Sequence, residues 1–337
     1  MNGINYIAAK HVVVLPNKRN PKVYLAIDSP EIARLSFKLY NPFSAKGKGL
    51  KSITRFICIY LNSIAKIILP AVKIAKNDFP TYLEKELKQN FLCSVYCATA
   101  KDKVVLQLIT DNQIYGYLKL AQNQHGITRL INERTAILKL SSLEIVPELR
   151  CRGNYNNHPY IVLENLEGII GDVDIDEYGD ILSKFKKPIK YKLKNHPRVE
   201  SIIEQLIKID LEDAVINLQK EIKTCDAYFH EVYEHGDFAP WNLIRTDKGL
   251  IPFDFEYFVD IGLEFMDEIK YYFQISFLLK GLAGRALIDA IIDAIRVDEI
   301  RLLIHIFLLK EIVLKTNDGD ACNFEKQLLL ILLDGKA

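Results

Sequence analysis

The sequence predicts an α+β fold of two lobes, the first small and strand-rich, the second larger and mostly helical. Three observations predict it. Between residues 91 and 121, the β-type runs FLCSVYCATA, KVVLQLIT and YGYLKLA follow one another across short polar turns. A helical spacing of apolar residues then covers 127–140, and an extended run, YIVLE, occupies 160–164. From about Ile169 onward the apolar spacing is that of helices, so the lobes are expected to join near residue 165.

The elements follow in order. Residues 1–45 read as short strands and turns, with the alternation of 22–27 marking one strand. The stretch 41–49 is turn-rich and basic. An apolar segment, ITRFICIYLNSIAKIILPAV, fills 53–72, and Pro80 opens a helix over 80–88. After the strands come expected helices at 197–209, 211–230, 265–281, 285–314 and 325–333. The division is therefore an N-terminal extension over 1–88, a first lobe over 89–165 and a helical lobe over 166–337.

Composition narrows the function. The chain has 337 residues, 49% hydrophobic and 26% charged, which is ordinary for a globular protein. A net charge of +1 provides no electrostatic case for nucleic acid. The six cysteines form no CxxC pair or zinc-type cluster, so they read as small buried side chains in a reducing compartment. The N-terminus shows no secretory signal, and a cytoplasmic location is expected. Segment 53–76 is apolar but basic. It suits a helix lying peripherally on the inner face of a membrane, and equally a helix packed on the protein's own core, which is favoured. The Lys-rich run at 183–196 reads as a solvated face, with contact to an anionic substrate or membrane as the sharper option.

The chemistry concentrates in EHGDFAPWNLIRTDKGLIPFDFEYF, residues 234–258. Phosphoryl transfer from ATP needs a carboxylate that orients the acceptor hydroxyl and takes its proton. It also needs hard oxygen ligands for Mg²⁺. Asp237, Asn242 and Asp254 are a minimal set for these tasks. A hairpin turning at Asp247-Lys248-Gly249 brings Asp254 back beside Asn242.

This run, HGD-x-x-P-x-N followed by an apolar strand and D-F-E, resembles the core of the aminoglycoside phosphotransferase and choline kinase superfamily. That superfamily is a small-molecule branch of the protein-kinase fold. The resemblance covers roughly 90–275 and implies a kinase-like two-lobed fold using ATP and Mg²⁺. It implies that Asp237 is catalytic, that Asn242 and Asp254 bind metal, and that His235 packs structurally under the metal turn. It further implies that Lys119, on the third strand, holds ATP phosphates and that Glu133, on the next helix, positions it. Glu164 and Leu166 resemble the hinge whose backbone holds the adenine edge. Asp267, with Asp260 as competitor, is expected to brace the catalytic loop. The loop at 97–103, which should cover the phosphates, departs from the family in having no glycine.

Fold does not name an acceptor. The wording HGDFAPWN with DFEYF further resembles phosphotransferase-like proteins associated with bacterial surface polysaccharide synthesis, which favours a sugar or polysaccharide-related hydroxyl. A choline, ethanolamine or aminoglycoside acceptor is the first alternative. It would use acids such as Glu256, Asp260 and Glu264 around a cation. A catalytically inactive binding module is the second.

Overall fold

The computed structural model describes residues 6–42, 45–68, 78–97, 102–171 and 175–334. It is a mixed α and β structure with a strand-rich first part and a helical second part. Two compact units make it up, one holding residues 1–134 and 147–166, the other 135–146 and 167–337. Ala98 to Lys101, most of the expected phosphate-covering loop, and residues 69–77 of the basic apolar segment lie outside the described residues.

The first unit is built on a seven-stranded sheet. Its strands are β1 (Val12–Pro16), β2 (Pro21–Ala26), β3 (Leu92–Tyr96), β4 (Lys103–Thr110), β5 (Gln113–Ala121), β6 (Leu149–Tyr155) and β7 (His158–Leu163). They lie in the order β1-β2-β3-β4-β5-β7-β6, every neighbouring pair antiparallel. Two-residue turns set the registers. Asp111 and Asn112 both have positive φ between β4 and β5, as Asn156 and Asn157 do between β6 and β7. That conformation matches strand twist, and Asn and Asp tolerate it.

The expected separation of residues 1–88 differs from the structure. β1 and β2 extend the same sheet through pairing of Val23 with Tyr96 and Tyr24 with Val95. The cause is apolar: Val23, Leu25 and Ala26 are fully buried, so the early strands need the sheet to cover them. The helices α1 (Pro30–Ser36), α2 (Ala45–Tyr60), α3 (Asn62–Ile68) and α4 (Asp78–Leu87) precede β3. Helix α5 (Gln124–Leu140) follows β5 and contributes residues to both units.

The second unit carries β8 (Ile169–Ile170), α6 (Ile175–Phe185), β9 (Lys186–Lys192), α7 (Pro197–Lys208), α8 (Glu212–Thr224), β10 (Tyr228–Glu234), β11 (Leu243–Thr246), β12 (Gly249–Pro252), β13 (Val259–Leu263), α9 (Met266–Gln274), α10 (Gly284–Ala294), α11 (Ile300–Asp318) and α12 (Asn323–Asp334). Its main core joins α7 to α12, where α7 buries Val199, Ile202 and Leu206 on one face. Two small sheets, β13-β10-β9 and β12-β11-β8, sit in this unit.

Three sequence expectations are corrected here. The helix expected over 211–230 ends at Thr224, and Tyr228–Glu234 is instead the central strand β10. Its aromatic and β-branched residues pair on both sides, and tertiary pairing overrides the helical spacing. The helix expected over 285–314 is two helices, broken where Ile295 turns extended. The Lys-rich run is not simply a solvated face. It forms β9, and Lys186, Lys187 and Lys192 pair with Glu264 at 2.7 Å, Glu231 at 2.8 Å and Asp226 at 2.6 Å.

Candidate active site

In the first unit, β5 points Lys119 inward. Its Nζ donates to Glu133 Oε1 at 2.6 Å, and both side chains are nearly fully buried. A buried ammonium is tolerated only with a paired anion, so this contact fixes the lysine at one position. In the segment after β7, the Glu164 N–H donates to the Glu148 carbonyl at 3.0 Å, and Glu164 Oε1 accepts from the Glu148 N–H at 2.8 Å. Glu164 and Leu166, the residues expected to hold an adenine edge, thus directly follow β7.

In the second unit, β10 delivers the chain into the loop His235–Asn242. His235 is fully buried, and Gly236 has φ +83, where a Cβ would collide with the Tyr257 carbonyl. The loop is clamped from below by Asp267, at the start of α9. Its Oδ2 accepts the His235 N–H at 2.6 Å and its Oδ1 accepts the Gly236 N–H at 2.9 Å. Burial and the nearby negative charge of Glu234 push the Asp267 carboxyl up to about 6. Asp260, the competitor for this role, pairs instead with Lys139 at 2.6 Å and Lys187 at 3.5 Å.

The His235 ring is fixed at both nitrogens. Nδ1 accepts the Asp237 N–H at 3.3 Å, which leaves Nε2 to donate to the Phe253 carbonyl at 3.0 Å. The ring also lies 4.4 Å from that of Phe255. One imidazole thus ties the loop to the turn carrying Asp254.

The hairpin β11–β12 closes the arrangement. Leu243 pairs with Pro252, and the Phe253 N–H donates to the Asn242 carbonyl at 3.0 Å. Asp254 follows directly, with φ +66. The register therefore sets Asn242 and Asp254 at the same end of one hairpin. The Asn242 Nδ2 donates to the Asp237 carbonyl at 2.9 Å and to Asp237 Oδ2 at 3.0 Å. Its Oδ1 is then the atom left for a cation. An amide oxygen with a carboxylate is a donor set that fits Mg²⁺, which completes its shell with water and phosphate oxygens.

Two residues that the sequence reading missed complete the surroundings of Asp237. Gln274 Nε2 donates to Asp237 Oδ1 at 3.3 Å, and Lys270 Nζ lies 3.6 Å from the same oxygen. Both stand on α9, four residues apart, and so share a helix face. α9 runs on into a π-turn at Ile275–Leu279, directly after Gln274. Lys270 also pairs with Glu311 at 2.8 Å. From Glu311 a buried chain of charges continues through Lys310 at 3.5 Å to Glu234 at 3.0 Å and Arg198 at 3.2 Å. Burial alone would raise the Glu234 carboxyl, but Arg198 and Lys310 outweigh it and hold it at about 2. Burial alone would lower the Lys270 ammonium, but Glu311 and Asp237 outweigh it and raise it, so it stays charged.

No family model matches the chain, and no curated protein matches it. Solved structures do. An aminoglycoside phosphotransferase from Streptomyces rimosus is 12% identical, over 70% of this chain and 97% of that one, at a TM-score of 0.43. An ethanolamine kinase from Plasmodium vivax is 13% identical, over 90% and 94%, at 0.41. An amicoumacin kinase, in complex with AMP-PNP, Ca²⁺ and Ami, is 10% identical, over 69% and 84%, at 0.39. Likeness at this level carries no argument about function, which rests on the geometry above.

Proposed function

We propose that this chain is an ATP-dependent kinase that phosphorylates a hydroxyl group of a small molecule. The observation that carries this reading is the setting of Asp237. Its carboxylate is oriented by Asn242, Gln274 and Lys270, on a loop whose backbone is clamped by Asp267 and tied by His235 to the Asp254 turn.

Each residue has a task on this reading. Asp237 orients the acceptor hydroxyl and takes its proton. Lys119, fixed by Glu133, meets phosphate oxygens. Asn242 Oδ1 and Asp254 would hold Mg²⁺, which would supply positive charge against the phosphates. Most of the rate then comes from positioning and fixed charge.

The acceptor is best read as neutral and sugar-like. A cationic acceptor would call on acids near the Asp254 turn. Asp260 is already paired with Lys139 and Lys187, and Glu264 with Lys186, so these two are neutralised by the protein's own lysines. This removes Asp260 and Glu264 as partners for a choline-type amine, and the likeness of HGDFAPWN and DFEYF to polysaccharide-associated phosphotransferases then favours a sugar or polysaccharide-related hydroxyl.

The test is the thermal midpoint with and without Mg-ATP, for the natural chain and Asp254→Ala, followed by a panel of neutral and cationic acceptors. Nucleotide at about 100 times its Kd raises the midpoint by a few degrees. The shift is expected to require Mg²⁺ and to vanish in Asp254→Ala. Absence of any nucleotide-dependent shift would overturn the kinase reading in favour of an inactive binding module. Turnover only with amines would overturn the sugar assignment.

A further inference from the structure

Helices α2 and α3 have their faces reversed. Against the first unit they bury Thr54, Cys58, Asn62 and Ala65, which are small or polar, together with Ile59. Asn62 Nδ2 donates there to the carbonyls of Ile27 at 3.1 Å and Cys58 at 2.8 Å. The large apolar side chains point the other way. Ile53, Phe56, Tyr60, Ile64 and Ile67 are 64, 56, 69, 47 and 84% exposed. Their spacing of three and four residues makes them one stripe. The favoured expectation of a helix packed on the protein's own core therefore holds only for its small face.

A helix facing water does the opposite, because burying large apolar groups is what lowers the free energy. A continuous stripe of this kind marks a contact surface. Charge identifies the partner. Residues 45–68 carry Lys46, Lys48, Lys51, Arg55 and Lys66, and no Asp or Glu. Lys46, Lys48 and Arg55 are exposed, while Lys51 and Lys66 donate to neutral oxygens of Asn41 and Asp28. An apolar stripe accompanied only by cations fits an anionic bilayer, which offers an apolar interior beneath a negative headgroup layer. The Lys-rich strand β9 is a weaker rival, because three of its four lysines, Lys186, Lys187 and Lys192, pair with acids of their own unit. No helix among the described residues is long and apolar enough to cross a membrane.

We propose that α2 and α3 lie in the interface of an anionic lipid bilayer. Ile53, Phe56, Tyr60, Ile64 and Ile67 enter the acyl boundary, and Lys46, Lys48 and Arg55 meet the headgroups. The surface is separate from the residues assigned to phosphoryl transfer, so the proposal stands whatever the chain's chemistry.

The test is co-sedimentation of the full chain with phosphatidylcholine vesicles and with vesicles containing about 30% phosphatidylglycerol. Anionic vesicles should bind at least about tenfold more protein, and raised salt should reverse this. Phe56→Ser with Ile67→Ser, and separately Lys46→Glu with Lys48→Glu, should each weaken binding by about tenfold at an unchanged thermal midpoint. Equal binding to neutral vesicles, or full binding by either folded variant, would overturn the proposal. So would a lipid-free dimer, seen by sedimentation velocity, that the Phe56→Ser and Ile67→Ser pair abolishes, since it would assign the stripe to a second copy of the chain.

Discussion

The Lys270 ammonium lies 3.6 Å from the Asp237 carboxylate and 2.8 Å from that of Glu311, with both Lys270 and Glu311 buried. A fixed cation at this distance holds the direction of the carboxylate proposed to take the acceptor proton. Lys270→Met is expected to lower kcat by roughly 100-fold while KM for ATP changes less than about threefold. It also leaves buried Glu311 with only its longer contact to Lys310 at 3.5 Å, a destabilisation of up to about 3–5 kcal/mol. Lys270→Met with Glu311→Gln should recover most of that stability but not the turnover. Steady-state kinetics beside urea unfolding separate the two effects, and a recovered kcat in the double variant would contradict the role.

Asp237→Ala should lower turnover severely yet leave the Mg-ATP-dependent thermal shift intact, because the nucleotide ligands are other residues. The measurement pairs single-turnover kinetics with the melting curve. Near-natural turnover would mean that another group takes the proton.

Gly236 tests the loop backbone. At φ +83, with the Tyr257 carbonyl where a Cβ would go, Gly236→Ala adds about 1–3 kcal/mol of backbone strain before any clash. The loop must shift to relieve it, and the N–H held by Asp267 shifts with it. Turnover should fall by more than tenfold in a protein that still folds. Circular dichroism melting with an activity assay checks both.

Stability against pH should have two branches of opposite slope. Glu234 is held near 2 in the folded state, below its unfolded value of about 4.5, so its contribution is present above 4.5 and lost as pH falls towards 2. Asp267 is raised to about 6, so the folded state binds its proton first and stability falls as pH rises from about 4 to 6. Urea midpoints should peak near pH 4 on these two terms. Asp267→Asn should flatten the upper branch, and Glu234→Gln the lower one. A lower branch unchanged in Glu234→Gln would show that other carboxylates carry it.

Much of this was readable before any coordinates. The runs at 103–110 and 115–121 became strands because their alternation and turns are local signals. Asp237, Asn242 and Asp254 are nameable because their chemistry lies within one short motif, and Lys119 and Glu133 because the family that motif resembles implies a strand lysine and a helix glutamate. Lys270, Gln274 and Glu311 were not, because their relation to Asp237 spans 33 to 74 residues of chain and exists only once α9 and α11 pack. Strand β10 was hidden because its apolar residues suit either period, and pairing with β9 and β13 decided. Strand β6, which pairs with the strand expected at 160–164, was missed although Asn156-Asn157 is a strong turn signal. In α2 the apolar positions were legible, but which face met the core was not, because the buried face is the less hydrophobic one.

On the proposed reading, Asn242 sets more than the strength with which the hairpin end would hold a cation. An aspartate at that position would be the harder ligand and the stronger attraction for a divalent ion. It would also replace a donor 3.0 Å from Asp237 Oδ2 with a second negative oxygen. Two carboxylates at that distance would repel, and Asp237 would lose a donor that orients it. A neutral amide lets the two neighbours keep separate occupations, one for the cation and one for the proton, with a single side chain turned between them.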